Sequence, residues 1–322
     1  MRSQRNGKGE LICAVDLGGT HLRTATVDQS GDVHSRIKQT TPAADFAGQI
    51  IEAIVSAATQ CREEASATGH SVKALSIVVP GTVNAEAGRA IKVPNVPCLD
   101  GFDVVEALAC ALHLPVILEN DANAAALGEL WRGAARGRRT IVCLTLGTGV
   151  GGGIILDGKL WRGANGYAGE IGHTCVEPRG MKCACGSRGC LEAYASATAV
   201  VRMANEAKPR YPASDLANET ELSSEKIYRA GSQGDELAVE VFRQMGFYLG
   251  VAVANVINIF DPEMIVIGGG VANAWNLFEP HMMHEVSQRR FSPGVAARIV
   301  RAECGDDAGL LGAAYLWFSQ TA

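Results

Sequence analysis

The chain has 322 residues, which is enough for two domains of ordinary size. Hydrophobic residues make up 47% and charged residues 20%, so the composition predicts a large core and excludes a disordered chain. The net charge of −5 gives no bulk attraction to nucleic acid or anionic membranes, and no apolar run reaches the roughly 18 to 20 residues that span a bilayer. The polar segment at residues 1–10 is not followed by a signal-peptide core, so we expect a cytoplasmic protein.

The first part of the chain alternates between predicted strands and predicted helices. The predicted strands are residues 11–16, 22–27, 33–39, 74–79 and 115–118. The predicted helices are residues 45–68, 104–112 and 122–131, with a loop rich in Gly and Pro at residues 80–101. A tight glycine turn at residues 17–20 joins the first two strands.

The opening pattern recurs about 130 residues further along the chain. A predicted strand at 140–146 ends at the glycine-rich residues 147–153, and a second strand returns at 154–156. The later elements are a helix at 236–259, a strand at 264–267, three glycines at 268–270 that open another helix, and a final helix at 306–318. We interpret the recurrence as an internal duplication, in which two related halves each present a glycine turn to one cleft.

The two glycine turns indicate phosphate binding. Phosphate is held by backbone N–H groups with no Cβ in the way, and glycine-rich turns supply that geometry. Thr20 and Thr148 would add hydroxyl donors, and Asp16, at the end of the first strand, would hold a hydrated Mg²⁺ near the phosphates. Either turn alone is equally well explained as a tight hairpin. The two turns together with the triple glycine favour phosphate.

Two rival phosphate motifs fail on their context. Gly147-x-Gly149-x-x-Gly152 matches a dinucleotide fingerprint but leads into a predicted strand, where that motif requires a helix. Residues 153–159 spell most of a Walker A loop, but Leu160 stands where Ser or Thr is required.

An acidic turn, Glu119-Asn120-Asp121-Ala122-Asn123, follows a predicted strand and opens an Ala-rich helix. A carboxylate at this position can accept the proton of a sugar hydroxyl as it attacks a phosphoryl group. The alternative is structural, because Asn and Asp are favoured residues at the N-cap of a helix.

A metal site is predicted by His173-x9-Cys183-x-Cys185-x4-Cys190. One imidazole and three thiolates suit tetrahedral zinc, and a site closed by four protein ligands is structural, so zinc hydrolysis is not expected. The alternatives are a set of buried or redox-active cysteines, or Cys175 as a ligand in place of one of the four. The site lies between Glu170 and Glu192, so the ion would fix the loops that carry both carboxylates.

In their order along the chain, these motifs resemble the ROK family (repressors, uncharacterised reading frames and sugar kinases) of the sugar kinase and actin-like ATPase superfamily. The resemblance rests on the two glycine turns, the acidic turn, Gly169-Glu170-Ile171-Gly172-His173 with the cysteine cluster, and Asp261-Pro262 with the triple glycine. It implies an α/β protein with a duplicated actin-like (ribonuclease H-like) ATPase fold, in which two lobes surround a cleft. The implied lobes are 1–121, with 306–322 packing back on it, and a larger lobe of 122–305 that carries the zinc site and a dimer interface.

The resemblance also implies roles for single residues. Asp121 would be the general base that activates the 6-hydroxyl of a sugar. The residues implied to contact the sugar are Gly81, Asn95, Asn120, Asp121, Glu170, His173 and Glu192. The residues implied to contact ATP and its Mg²⁺ are Asp16, Gly18, Gly19, Thr20, Gly147, Thr148, Gly149, Gly268 and Gly269. His173 would touch the sugar with one ring nitrogen and zinc with the other.

The sugar is the least determined part of this prediction. Many glucokinases of the family carry a Trp soon after the Asn of the loop that corresponds to Pro94-Asn95, whereas Val96-Pro97-Cys98-Leu99-Asp100 follows here. Glucose is the first choice, and N-acetylmannosamine, N-acetylglucosamine and fructose stay open. The expected partners are a small sugar and ATP in a homodimer or homotetramer, with no nucleic acid and no membrane.

A sugar-responsive repressor of the same family is the main competing function. Such repressors add an N-terminal DNA-binding domain of about 80 residues, whereas only ten residues precede the first strand here, so we expect a kinase. A non-catalytic sugar sensor is disfavoured by Asp121 and the two glycine turns. A polyphosphate-dependent kinase would require a basic groove, and the only dense basic run is Arg132, Arg136, Arg138 and Arg139.

Overall fold

The computed structural model describes residues 9–291 and 297–321, so most of the polar segment at the start of the chain lies outside the described residues. Its strands are β1 (Glu10–Leu17), β2 (His21–Asp28), β3 (Val33–Thr40), β4 (Ser71–Val79), β5 (Thr82–Asn84), β6 (Arg89–Lys92), β7 (Val116–Asn120), β8 (Ile141–Leu146), β9 (Val150–Leu156), β10 (Lys159–Leu160), β11 (Met264–Gly268) and β12 (Arg298–Arg301). Its α-helices are α1 (Ala47–Ala67), α2 (Val104–Leu112), α3 (Asp121–Arg132), α4 (Glu192–Ala195), α5 (Ala197–Ala207), α6 (Ser224–Ser232), α7 (Glu236–Phe260), α8 (Trp275–Arg289) and α9 (Ala308–Thr321).

The described residues form two compact units. The first comprises the residues up to Gly137, the short segment Arg162–Ala168 and the residues from Asp306 onward, and the second comprises Arg138–Trp161 and Gly169–Gly305. The predicted lobe boundary at residue 121 and the predicted dimer interface stay predictions.

The first unit is built on a five-stranded sheet with the order β3-β2-β1-β4-β7. β1, β2 and β3 form an antiparallel meander, while β1, β4 and β7 run parallel. Apolar side chains of β1 and β4 are buried against α1 and α2, with Ile50, Ile54 and Leu108 at the centre of this core. α9 packs on α3 and contacts β1, β2 and β4.

The second unit repeats this topology. Its sheet has the order β10-β9-β8-β11-β12, with β8, β9 and β10 antiparallel and β8, β11 and β12 parallel. Each strand has a counterpart at the same position in the first sheet. Two sheets with the same order and the same directions are the structural form of the duplication predicted from the recurring glycine turns.

Helix α7 forms the centre of the second core. It is long and apolar enough to cross a membrane by length and composition, but 61% of its apolar window is buried inside the protein. Phe242, Met245 and Leu249 of α7 are fully or almost fully buried, together with Phe278 of α8. A core helix of a soluble protein has these properties.

Two predicted elements differ from the structure. The predicted loop at 80–101 contains the short antiparallel pair of β5 and β6 and a 3-10 turn at Pro97–Leu99. β9 begins at Val150, so Gly151, Gly152 and Gly153 belong to the strand rather than to the turn. They pair with Thr145, Leu144 and Cys143 of β8. Glycine occurs inside a strand where another part of the chain approaches so closely that a side chain would not fit.

Candidate functional site

The first glycine turn lies between β1 and β2, and two of its carbonyl groups accept hydrogen bonds within the protein. Thr41 donates both: its backbone N–H donates to Thr20 O at 2.9 Å, and its hydroxyl donates to Gly18 O at 2.6 Å. Asn95 packs on Gly19, since a Cβ on Gly19 would lie 2.7 Å from Asn95 Cβ. The structure therefore places Gly18, Gly19, Thr20 and Asn95 together.

Asp16, at the end of β1, lies between a guanidinium and the start of α9. Arg23 Nη1 donates to Asp16 Oδ2 at 3.1 Å, and the other end of the guanidinium lies 3.5 Å from Asp306 Oδ2. A Cβ on Gly309 would lie 3.1 Å from the same Asp16 oxygen. Burial raises the pKa of Asp16 above its ordinary value, and Arg23 opposes that rise by stabilising the carboxylate.

The acidic turn is arranged so that Asn120, rather than Asp121, caps helix α3. Asn120 Oδ1 accepts a hydrogen bond from Asn123 N at 3.0 Å, and Asn120 Nδ2 donates to Gly81 O at 2.8 Å. Asp121 is the first residue of the helix, and its Oδ1 accepts from Ala122 N at 2.8 Å and from Asn120 Nδ2 at 3.1 Å. The capping role is thus filled by the neighbour, which leaves the carboxylate of Asp121 available for chemistry.

The carboxyl group of Asp121 has a pKa close to neutral pH. Burial is the larger cause and the nearby charge of Asp16 the second, and together they raise the pKa of Asp121 to about 7. Hydrogen bonds from Ala122 N and Asn120 oppose the rise. A carboxylate with a pKa near neutral pH is a much stronger base than an ordinary aspartate, and it is still ionised in a useful fraction.

Glu119 and Arg162 support this turn and were not predicted as site residues. Glu119 is 1% exposed, and Arg162 Nε donates to its Oε2 at 2.7 Å. Oε1 of Glu119 accepts hydrogen bonds from Asn120 N at 2.9 Å and from Asn123 Nδ2 at 3.0 Å. The sequence offers a signal for Glu119, which directly precedes Asn120 at the end of a strand, but none for Arg162, which is 43 residues away along the chain.

Replacing Arg162 by Ala is expected to lower the free energy of unfolding by about 1.5–3 kcal/mol, because it removes a charged hydrogen bond from a buried carboxylate. Urea titration of wild type and R162A measures the change. The control is R229A, which breaks an exposed pair with Glu225 and should cost less than about 1 kcal/mol. Equal losses of unfolding free energy in the two variants would show that the Glu119–Arg162 pair stabilises the fold no more than an exposed ion pair does.

The second glycine turn, between β8 and β9, comprises Gly147, Thr148 and Gly149. Gly147 N donates to Gly149 O at 2.9 Å and closes the turn. Glu192 Oε2 accepts from Val150 N at 3.1 Å and lies so close to Gly149 that a Cβ there would collide with it. The structure thus brings Glu192 onto the second turn.

Gly268 ends β11, Gly269 follows it, and both lie against the end of β8. Gly269 has a φ of 86°, and a Cβ on it would collide with the backbone of Leu146, so only glycine is accommodated there without strain. Gly268 is the last residue of β11 and pairs with Thr145. Both glycines therefore border the second turn.

His173, Cys183, Cys185 and Cys190 form a cluster whose four ligand atoms all lie within 4.8 Å of one another. Cys185 Sγ and Cys190 Sγ are 3.7 Å apart, and Cys183 Sγ lies 3.8 Å from His173 Nδ1. Two sulfurs bound tetrahedrally to zinc at about 2.3 Å are separated by about 3.8 Å, so the residues fit this ion. Cys175 is exposed and lies outside the four-residue group.

The two nitrogens of His173 face different partners. Nδ1 points to the thiols, whereas Nε2 lies 3.9 Å from Glu170 Oε2. Glu192 Oε1 lies 3.7 Å from Cys183 Sγ. The metal cluster, Glu170 and Glu192 are therefore one continuous group of polar side chains in the second unit.

Within each unit, the predicted site residues are close to one another. The first unit gathers Asp16, Gly18, Gly19, Thr20, Gly81, Asn95, Asn120 and Asp121. The second gathers Gly147, Thr148, Gly149, Glu170, His173, Cys183, Cys185, Cys190, Glu192, Gly268 and Gly269.

The ROK family profile matches residues 12–320, almost the whole chain. The chain belongs to the ROK family. Membership and the predicted α/β class with a duplicated actin-like ATPase fold are thereby confirmed.

Similar ROK proteins include kinases and a regulator. The glucokinase of Streptomyces coelicolor is 36% identical over 317 residues, which cover 95% of this chain and 97% of that protein. The crystal structure of a ROK family glucokinase from Streptomyces griseus in complex with glucose and AMPPNP is 36% identical, with a TM-score of 0.82 over 95% of this chain and 98% of that one. A ROK family transcriptional regulator, a homologue of the E. coli MLC protein, is 30% identical, with a TM-score of 0.88 over 98% of this chain and 79% of that one.

Proposed function

We propose that this ROK protein is an ATP-dependent hexokinase that transfers a phosphoryl group to the 6-hydroxyl of glucose, with Asp121 as the general base. Support comes from glucokinases that are 36% identical over almost the whole chain. The observation that carries the proposal is Asp121 itself, a carboxylate with a pKa near 7 at the start of α3, whose capping role is taken by Asn120.

In the proposed reaction, Asp121 accepts the proton of the sugar hydroxyl as that oxygen attacks the γ-phosphorus of ATP. The new oxygen–phosphorus bond forms while the bond to the β,γ-bridging oxygen breaks, and ADP leaves. General base catalysis of this kind contributes about 10²- to 10⁴-fold to the rate. Asn120, tied to Gly81 O and to Asp121, would keep the carboxylate oriented.

The two glycine turns would hold the phosphates through backbone N–H groups and the hydroxyls of Thr20 and Thr148. Gly268 and Gly269 would border the same nucleotide. Asp16 would hold, through water, the Mg²⁺ that accompanies ATP, and this cation would reduce the negative charge of the phosphates. Arg23 would stabilise the ionised form of Asp16 against the effect of burial.

Glucose would be held by Asn95, Asn120 and the Gly81 loop, and by Glu170, His173 and Glu192. His173 suits a double role, because its Nδ1 faces the cysteines and its Nε2 lies on the side of Glu170. Zinc at the four-residue cluster would be structural, since all four positions are filled by protein ligands. It would fix the loops on which Glu170 and Glu192 stand.

The preferred sugar is tested by ADP release from ATP over a panel of hexoses and N-acetylhexosamines. We expect glucose to give the highest kcat/KM. N-acetylmannosamine, N-acetylglucosamine and fructose are the alternatives, because they would use the same hydroxyl-binding residues. Preference for one of them would keep the kinase assignment and correct the substrate. Polyphosphate in place of ATP tests the donor, and we expect it to be inactive.

We also propose a cytoplasmic location and a homodimeric or homotetrameric assembly. The assembly rests on the family resemblance, and light scattering of the purified protein measures it.

The pH dependence of the reaction is expected to follow the ionisation of Asp121. A base acts only when deprotonated, and a pKa of about 7 means that the active form is lost as the pH falls through 7. The kcat/KM for glucose should therefore fall about tenfold for each pH unit below 7 and level off above 8. A profile that stays flat down to pH 5.5 would indicate a base with an ordinary carboxyl pKa.

A further inference from the structure

The second glycine turn is fastened to the start of helix α5 through its carbonyl groups. Ala197 N donates to Gly147 O at 2.8 Å, and Thr198 Oγ1 donates to Thr148 O at 3.0 Å. Ala197 and Thr198 are the first two residues of α5. Two successive carbonyls of the turn are thus bonded by two successive residues of one rigid element.

These two hydrogen bonds also set the direction of two N–H groups of the turn, because each peptide unit is planar. The carbonyl of Gly147 and the N–H of Thr148 belong to one planar trans peptide unit and point in opposite directions, and the same holds for Thr148 O and Gly149 N. Fixing both carbonyls toward α5 therefore turns both N–H groups away from it. Among the described residues, neither of these N–H groups has a hydrogen-bond partner.

Helix α5 does not need Thr198 for its own stability. Its N-cap is Ser196, whose hydroxyl accepts from Ala199 N at 3.1 Å. The side chain of Thr198 is exposed, and its hydroxyl donates a hydrogen bond to Thr148 O. The hydroxyl of Thr198 therefore contributes to the turn rather than to the core or to the cap.

We propose that Thr198 is a positioning residue for the nucleotide: its hydroxyl, bonded to Thr148 O, orients the N–H group of Gly149 toward a phosphate group of ATP, beside the N–H group of Thr148 that Ala197 orients. This inference rests on the proposed function. Thr198 acts through the turn and does not touch the substrate. Serine at this position would keep the hydroxyl, whereas valine would keep the shape and the β-branching but remove the donor.

The test compares wild type with T198V and T198S, and with T220V as a control at another exposed threonine. AMPPNP binding is measured by calorimetry and the steady-state constants by ADP release, with the zinc content checked for each variant. T198V should weaken AMPPNP binding and raise the KM for ATP by about 2- to 10-fold, the effect of one hydrogen bond. T198S and T220V should match wild type, and the KM for glucose should be unchanged in all variants.

Three results would overturn the inference: unaltered AMPPNP binding in T198V, an equal loss in T198S, or a rise in the KM for glucose as large as that for ATP. Each leaves the proposed kinase activity intact. If wild type fails to bind AMPPNP, the proposed function fails, and the role of Thr198 fails with it.

Discussion

Replacing Asp121 by Asn is expected to lower kcat by about 10²- to 10⁴-fold while glucose binding is largely retained. The amide has the shape of the carboxylate, and its oxygen can still accept from Ala122 N, but it cannot take up the proton of the attacking hydroxyl. ADP release measures kcat, and calorimetry with glucose measures binding. The Tm should not fall, because the folded state raises the pKa of Asp121 and the variant removes a carboxylate that burial disfavours.

The matched control is D235N. Asp235 also stands at the start of a helix, where its side chain accepts from Ala238 N, and asparagine caps helices about as well as aspartate does. This variant should keep the kcat of wild type. If D121N retained turnover close to wild type, Asp121 would not be the base, and a loss of glucose binding in D121N would instead indicate a role in binding.

The second large effect is expected from C185S. The side chain of Cys185 is exposed, so its replacement removes little packing, and the effect should come from the lost metal ligand. Structural zinc supplies about 10–16 kcal/mol of apparent binding free energy in small zinc domains, so losing one thiolate should weaken zinc binding and destabilise the fold. We expect the zinc content to fall from about one ion per chain to well below one, the Tm to drop by several degrees, and glucose binding to weaken.

The control for the metal is C175S, at an exposed cysteine outside the four-residue cluster. It should keep both zinc and activity. Wild type that contains no zinc but is fully active would contradict the metal assignment. A zinc loss in C175S equal to that in C185S would contradict the ligand set instead.

Much of the fold could be predicted because β1, β8 and β11 are short apolar runs that end at a glycine. The two glycine turns recur with the same flanking strands, and the two sheets have the same order, β3-β2-β1-β4-β7 and β10-β9-β8-β11-β12. The length of α1 and the start of α3 also follow from the sequence, since helical spacing and a cap residue mark them.

The parts that were not predicted depend on contacts between distant residues. The pair of β5 and β6 lies in a segment rich in Gly and Pro, where local propensity favours a loop and pairing is set by neighbours. The sequence predicts a glycine-rich turn over residues 147–153, yet Gly151 to Gly153 pair with β8 and belong to the sheet, although glycine weakens a strand.

The candidate site divides in the same way. The cysteine spacing identifies a metal cluster because its ligands are local, and the structure gathers the same four residues. The Glu119 pair with Arg162 and the Thr198 bond to the second turn each join residues that are more than 40 positions apart. Such contacts have no local signal in a single sequence.

Transfer of a phosphoryl group from ATP to a primary sugar hydroxyl is measured directly by ³¹P NMR of the purified protein with ATP, Mg²⁺ and glucose. We expect a phosphomonoester signal split by the two protons of C6, which grows in step with ADP and grows at least about 10²-fold more slowly with D121N. Formation of ADP without a sugar phosphate, or of no ADP with any sugar of the panel, would contradict the proposed kinase activity.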